Sequence, residues 1–159
     1  MKIIEITKKN ISSSANIIRS SFKTISDDFN LTIENNPTHG AFMKDEKLLE
    51  DYRKGIKMFG LFEDEIQIGF VELEHNDGVT FYLEKLAVLP EHRHKGGGKI
   101  LMDYATKYVK ESGGTAISIG IIYENKRLLN WYEAYGFIET EIKKFSHLPF
   151  TVCFMKLDV

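Results

Sequence analysis

The chain has 159 residues, 43% of them apolar and 28% charged, with 21 Lys and Arg against 23 Asp and Glu for a formal charge of −2 at pH 7. That size and mix suit a single globular domain spanning 1–159, able to bury roughly two-thirds of its unfolded surface, and the near-neutral charge gives no support for nucleic-acid binding. Charge at Lys2 and Glu5 breaks any signal-like start, no apolar run approaches the ~20 residues of a membrane span, and Cys153, the only cysteine, excludes internal disulfides and cysteine-rich zinc sites. The expectation is a cytoplasmic protein with no membrane or nucleic-acid partner.

In chain order, Lys2–Thr7 alternates apolar and charged residues and predicts a first strand. Ser12–Ser14 offer N-cap oxygens for a helix carrying Ala15, Ile18 and Phe22 at 3–4 spacing. Ser26–Ala41 is rich in turn residues and is expected to be irregular. A second helix is expected at about Lys44–Lys54, with Leu48, Leu49 and Tyr52 inward and Gly55 as its stop. Ile56–Phe62, Ile66–Glu74 and Val79–Leu89 predict three strands in an antiparallel meander, turning at Glu63–Glu65 and Asn76-Asp77-Gly78.

Pro90 ends the third of these strands, and Glu91–Lys95 leads into Gly96-Gly97-Gly98 and an amphipathic helix to about Glu111. Its Ile100, Leu101, Tyr104, Ala105, Tyr108 and Val109 share one face. Ala116–Ile122 is a buried strand, and a helix between it and the preceding strand implies a parallel crossover. Asn125 is placed to N-cap a last helix closed by Gly136, and Phe137–Phe145 and Phe150–Leu157 form two final strands around Ser146–Pro149. The order β-α-α-β-β-β-α-β-α-β-β defines an α+β fold. Its sheet is mixed and mostly antiparallel, six- to seven-stranded, with helices flanking it.

The glycine turn is the feature richest in chemistry. A turn feeding a helix N-terminus presents unpaired backbone N–H groups and the positive end of the helix dipole, which suits a phosphate or pyrophosphate. Arg93, Lys95 and Lys99, with His92 and His94, put further positive charge at the same point. A P-loop is excluded, because Gly98-Lys99 is followed by Ile100 and the position five before Gly98 is Arg93. A dinucleotide fingerprint fails as well, because Leu101 stands where the third glycine is needed.

What fits is Arg93-x-x-Gly96-x-Gly98, with Leu83-Glu84-Lys85-Leu86-Ala87-Val88 and Pro90 upstream. This resembles the acyl-CoA loop of the GCN5-related N-acetyltransferases, the GNAT family. Asn125, Tyr132-Glu133 and Gly136-Phe137 resemble that family's second signature, departing from it at Leu128, where alanine is usual. The resemblance covers essentially the whole chain. It implies the GNAT acyl-CoA N-acyltransferase fold, with acetyl-CoA as co-substrate.

By that resemblance, backbone groups of Leu86, Ala87 and Val88 bind the pantetheine arm in a space opened between the fourth and fifth strands. The Val88 N–H polarises the thioester oxygen. Arg93, His94, Lys95, Gly96, Gly97, Gly98 and Lys99 hold the pyrophosphate largely through backbone N–H groups. Asn125 contacts the pantetheine, and the Tyr132 hydroxyl protonates the departing sulfur. An amine with pKa near 10 must lose a proton before it attacks, and Glu84 is the candidate base, directly or through water. In simple alternation Glu84 shares a face with Leu86 and Val88.

Several residues also have plainer roles. Asn125 serves equally as an N-cap, Tyr132 as core, and Glu84 as a half-exposed strand residue beside a water that does the work. His92-x-His94 has metal-like spacing but no third ligand, so no metal is expected. His39 and His147 fall in loops that border the acceptor pocket in this family, and either is a candidate acceptor contact or base. Asp27, Asp28 and Glu34 tilt the first of these loops toward a cationic acceptor. The expected activity is transfer of acetyl to a primary amine of a small molecule or peptide. Its alternatives are a protein Lys or N-terminal acceptor, and a CoA-binding sensor without turnover. Family members are often dimers, so a homodimer is an open option.

Overall fold

The computed structural model describes residues 1–159. It consists of β1 (Lys2–Glu5), α1 (Ile11–Asp28), α2 (Asp45–Arg53), β2 (Lys57–Glu63), β3 (Ile66–Asp77), β4 (Thr80–Val88), α3 (Gly97–Glu111), β5 (Ala116–Ile122), α4 (Lys126–Tyr135), β6 (Ile138–Lys144) and β7 (Thr151–Asp158). The seven strands form one sheet in the order β1-β2-β3-β4-β5-β7-β6. Every neighbouring pair is antiparallel except β4 and β5. The mixed sheet and the parallel crossover through α3 are as the hydrophobic patterning predicts.

Both faces of the sheet are covered, and each has its own core. On one face Phe59, Leu61, Val71, Leu73, Phe81 and Leu83 pack under Leu101, Met102, Ala105 and Val109 of α3 and Leu129 and Tyr132 of α4. On the other, Met58, Phe70 and Ala87 meet Ile11, Ala15, Ile17 and Ile18 of α1 and Leu48 of α2. Central strands enclosed on both faces explain why Ile66–Leu73 is nearly continuous in apolar residues rather than alternating.

Two local expectations are corrected. Ser12–Ser14 do not cap α1. They lie in its first turn, because Asn10 ends a preceding 3₁₀ turn and the helix begins at Ile11. Ser14 is buried instead, accepting from Gln67 Nε2 at 2.9 Å and donating to Gln67 Oε1 at 3.3 Å. Helix α1 also runs on through Ser26–Asp28, where an irregular segment is expected from sequence. The buried Ser26 hydroxyl donates to the Lys23 carbonyl at 2.9 Å, so that serine is accommodated inside the last turn.

The β4 strand carries the irregularity that shapes everything around the cleft. Phe70 pairs with Ala87 but Glu72 pairs with Glu84, so β4 has an extra residue there, and Lys85 sits at a φ of 54°. This is a β-bulge, and it reverses the alternation of side chains along the strand. Phe81 and Leu83 face α3, whereas Ala87, an even number of residues further on, faces α1. Ser13 and Ser14 both tie α1 to Gln67 of β3, Ser13 Oγ donating to Gln67 Oε1 at 2.9 Å, and Ser14→Ala leaves one Gln67 amide N–H without its acceptor in a buried site. The expected loss is about 1–2 kcal/mol in denaturant unfolding, with the m-value unchanged.

Candidate active site

The parallel ladder between β4 and β5 has three residue pairs only, Thr80–Tyr82 with Ala116–Ser118, although both strands continue well beyond. Past Tyr82 the strands part. Strand β5 is held on its other edge by β7 through seven pairs, from Ala116–Asp158 to Ile122–Val152. The parted strands open into a cleft of about 1520 Å³ lined by α1, β4, the glycine turn, β5 and α4.

At the mouth of the gap, the Leu89 N–H donates to the Ile68 carbonyl at 2.9 Å, and Val88 lies opposite Gly69. In an antiparallel ladder this makes Val88–Gly69 a non-hydrogen-bonded pair, so the Val88 N–H points away from β3 and toward the gap. Ala87 is turned the other way. Its carbonyl lies 3.0 Å from where a Cβ on Gly69 would stand, and its side chain is buried in the α1 core. Of the three residues expected to face the ligand, Ala87 thus turns its carbonyl toward β3, while Val88 turns its N–H toward the gap.

The glycine turn follows directly. None of the backbone N–H groups of residues 94–99 donates to another part of the chain; the first bond of α3 outside its own body is Ile100 N–H to the Gly96 carbonyl at 3.0 Å. Six successive free donors at the positive end of a 15-residue helix suit an anion. Gly96 holds φ at +85°, where a side chain would be strained, and a Cβ on Gly97 would stand 3.0 Å from Leu61 Cδ2. Gly96 is thus required by the turn's positive φ, and Gly97 lets α3 seat closely on the sheet, where a Cβ would press on Leu61. A Cβ on Gly98 would stand 3.4 Å from the Trp131 ring, in ordinary contact distance, and both residues line the cleft.

The side chains near the turn do less than their charge suggests. The Arg93 guanidinium is tied to α1, donating to the Ser21 carbonyl at 2.9 Å, Ser21 Oγ at 3.2 Å and Thr24 Oγ1 at 3.1 Å, while its Nε donates to the Val88 carbonyl at 3.2 Å. It is a clamp between α1 and the end of β4, and not the free phosphate-facing charge expected from sequence. Lys99 pairs with Asp103 at 2.7 Å, one helical turn on. His94 and Lys95 are exposed, and His94 holds φ at +63°. Arg127 also lines the cleft, and burial together with the nearby Arg127 charge lowers the Arg93 pKa.

Helix α4 supplies the other wall. Asn125 caps it, its Oδ1 accepting from the Leu128 N–H at 3.3 Å, and the residue lines the cleft. The Tyr132 ring is set edge-on between Trp131 and Phe137, with centroids at 5.0 and 5.3 Å. Tyr132 is 5% exposed and borders the cleft, and its hydroxyl has no hydrogen-bond partner in the chain. Burial pushes the phenol well above its ordinary value, so it stays protonated at any working pH.

On the α1–α2 side, the bulge places Glu84 opposite Glu72 and away from the face of Leu86 and Val88, which pack on the α3 side. The face-sharing expected from simple alternation is therefore not what the chain adopts. Glu84 has a half-exposed side chain, 3.6 Å from Lys85 Nζ. The buried carboxyl is Glu72, 1% exposed, one of whose oxygens accepts a hydrogen bond from Lys85. Lys85 also approaches Asp51 at 3.5 Å, and Lys47 pairs with Asp51 at 2.8 Å. Burial pushes the Glu72 carboxyl up to about 7 against the opposing pull of Lys85. The available sequence signal was a glutamate between Val71 and Leu73, inside a run too apolar to leave it exposed.

The two loop histidines separate. His39 lines the cleft, half-buried against Phe22 at 5.5 Å, and its Nδ1 accepts from the Ala41 N–H at 3.2 Å. Burial lowers its pKa and favours the neutral ring. His147 is exposed on the β6–β7 turn against Phe145, and is not among the cleft residues. No group of three His, Cys, Asp or Glu is arranged to hold a metal, and no helix is long and apolar enough to cross a membrane.

A sheet that parts beside a helix N-terminus, with a phenol opposite, defines an acyl-CoA-type transferase cleft. A model of the acetyltransferase (GNAT) family matches residues 23–137. The chain belongs to that family and is an acetyl-CoA-dependent N-acetyltransferase. Its backbone is similar to that of the PaiA N-acetyltransferase of Thermoplasma acidophilum in complex with coenzyme A, with a TM-score of 0.80 at 21% identity, covering 99% of this chain and 98% of that one. The ribosomal-protein-S18-alanine N-acetyltransferase of Escherichia coli gives 0.79 at 14% identity, over 99% and 93%. An aminoglycoside 6'-N-acetyltransferase complexed with coenzyme A gives 0.76 at 16%, over 99% and 97%. No curated protein sequence matches the chain.

The raised Glu72 value has a consequence for stability. Between its ordinary value of 4.5 and about 7, the folded chain keeps a proton that the unfolded chain has released. The stability this contributes is complete below the ordinary value and is lost as pH rises through about 7. Against Glu72→Gln, which is neutral throughout, the wild type is expected to lose up to about 2–3 kcal/mol of relative stability between about pH 5 and about pH 8. Paired denaturant titrations check this; a difference that is flat across the range means Lys85 fully compensates the charge.

Proposed function

We propose that the chain is a single-domain cytoplasmic enzyme that moves an acetyl group from acetyl-CoA to a primary amine of a small molecule or peptide by direct attack. The observation that carries this reading is the row of unpaired N–H groups at residues 94–99, ending beside the gap into which Val88 points its own N–H. The names of the structural neighbours, which include acetyltransferases of a ribosomal-protein alanine and of aminoglycosides, support an amine acceptor without selecting one.

In this reading the pyrophosphate is held by backbone donors of His94–Lys99, with Lys95 and Arg127 adding mobile charge and Lys99 adding charge from its pairing with Asp103. Arg93 contributes by fixing the turn to α1. The pantetheine arm runs along the edge of β4 past Leu86 and Val88, with Asn125 on the opposite wall. The Val88 N–H meets the thioester oxygen and gains strength as that oxygen becomes anionic. Attack forms the amide C–N bond and breaks the C–S bond, and no acyl-enzyme is needed.

Proton transfer then has two ends. Glu84 stands four residues and a bulge from Val88, so it takes the amine proton through water. Tyr132 donates toward the departing sulfur. A thiolate of ordinary pKa, near ~8.5, is a weaker base than the buried phenolate, so complete transfer is uphill. The Tyr132 hydroxyl therefore acts as a hydrogen bond that strengthens as charge builds on sulfur, and any proton that leaves with CoA is returned to the phenolate from solvent through the open cleft.

Two variants test the halves of this reading. Gly98→Asp puts a carboxylate in the first turn of α3, where it suits the helix dipole but repels a pyrophosphate. CoA affinity is expected to fall at least about tenfold with thermal stability maintained, and unchanged binding in a calorimetric titration overturns the loop assignment. Tyr132→Phe keeps the ring packing and removes the hydroxyl. In a thiol-release assay across polyamines, amino acids, aminoglycosides and peptides, kcat is expected to drop at least about tenfold, with CoA affinity within about threefold. Tight CoA binding with no thiol release from any amine, in the wild type, identifies a sensor instead.

A further inference from the structure

The acceptor side of the cleft contains a carboxylate oxygen that nothing in the chain accounts for. Glu72 Oε2 is sealed from solvent and has no hydrogen-bond partner, while the residue lines the cleft. Around it, three carboxylates (Asp51, Glu72 and Glu84) meet two ammonium groups, Lys85 and Lys47. With every group charged, the cluster is one positive charge short, a charge that a proton on Glu72 makes up in the free chain only as pH falls below about 7. A purely structural ion-pair network would satisfy its buried oxygens, because an unpaired buried carboxylate oxygen is costly.

The position of the oxygen says what it can serve. Glu72 lies three residues along β3 from Gly69, the partner of Val88, which is ~10 Å at ~3.4 Å per residue. That is too far for Glu72 to touch a nitrogen attacking a carbonyl held at Val88. It is the right range for a second group on the same acceptor. The side chain is on the α1–α2 face, with Asp51 of α2 behind Lys85 and the exposed Glu84 beside it.

We propose that Glu72, supported by Asp51 and Glu84, is a receptor for a second cationic group of the acceptor, so that the enzyme acts on diamines and polyamines in preference to monoamines. The second ammonium supplies the missing positive charge and donates to Glu72 Oε2, while the first nitrogen reaches the acetyl carbon near Val88. An acceptor with a carboxylate at that spacing meets three acidic groups and is rejected. Glu72 here positions the substrate and takes no part in the bond-making. The assignment of the reacting end rests on the acetyl-transfer reading above; the cation receptor itself does not.

The test is a calorimetric titration of the CoA-saturated protein with spermidine, and with hexylamine as the single-charge control. Spermidine is expected to bind at least about tenfold more tightly than hexylamine. Glu72→Gln is expected to abolish that preference while keeping CoA affinity, which shows that the variant folds. Asp51→Asn is expected to weaken the preference, and Glu111→Gln, an exposed charge on α3, to leave it intact. Equal binding of the two amines by the wild type overturns the inference, as does a preference that survives Glu72→Gln or falls equally in Glu111→Gln. A wild type that does not bind CoA overturns the acetyl-transfer reading instead, and spermidine titration of the free protein then decides the receptor by itself.

Discussion

The parting of β4 from β5 after three residue pairs is the constraint on which the rest of the site depends. Two adjacent parallel strands ordinarily continue their ladder, because an unpaired backbone N–H or carbonyl away from water is costly. Here neither strand needs the other. Strand β5 is secured along its whole length by β7, and β4 by β3. The gap therefore leaves both strands fixed while exposing one edge of each to the same space. Rigid backbone donors aimed into a cleft require no reorganisation when charge develops on a substrate.

The bulge at Lys85 links this gap to the acceptor side. By adding one residue to β4 it turns Leu86 and Val88 toward α3, and it leaves Glu84 opposite Glu72 on the α1–α2 face. Without it, Glu84 and Val88 would share a face, and Lys85 would sit in regular alternation. With it, Lys85 takes up a left-handed conformation and reaches Glu72, Asp51 and Glu84 together. A single inserted residue thus separates the face of Leu86 and Val88 from the face of Glu84 and Glu72.

What was legible in the chain was local. Gly96–Gly98 before an amphipathic run, Asn125 before the last helix, and Tyr132 followed by Gly136-Phe137 are all patterns of a few residues, and the structure puts them around one cleft. The order of strands and helices followed from hydrophobic periodicity in the same way. What was not legible depends on contacts between distant segments. Arg93 resembles a phosphate ligand beside other basic residues, yet its partners Thr24 and Ser21 lie 69 and 72 residues away. The burial of Glu72 depends on Asp51 and on a bulge in a neighbouring strand, neither of which shows in the alternation of β3 itself. His147 fell outside the cleft because the reach of the β6–β7 hairpin is set by sheet geometry.

The two halves of the cleft also differ in what they are made of, and this bears on how one fold accommodates different acceptors. The donor half is chiefly backbone: N–H groups of residues 94–99, the Val88 N–H, and a turn that needs the positive φ of Gly96 and the close seating of Gly97. Such a surface tolerates wide changes of sequence as long as the strand, turn and helix remain, in keeping with TM-scores of 0.76–0.80 at only 14–21% identity to the neighbours named above. The acceptor half is built from side chains of separate elements: Asp51 on α2, Glu72 on β3, Glu84 and Lys85 on β4, and His39 beyond α1. Each can change without disturbing the sheet, and each change alters the charge or shape presented to the amine. On the proposed reading, specificity lies with the cluster around Glu72, and the capacity to hold an acyl-CoA with the backbone.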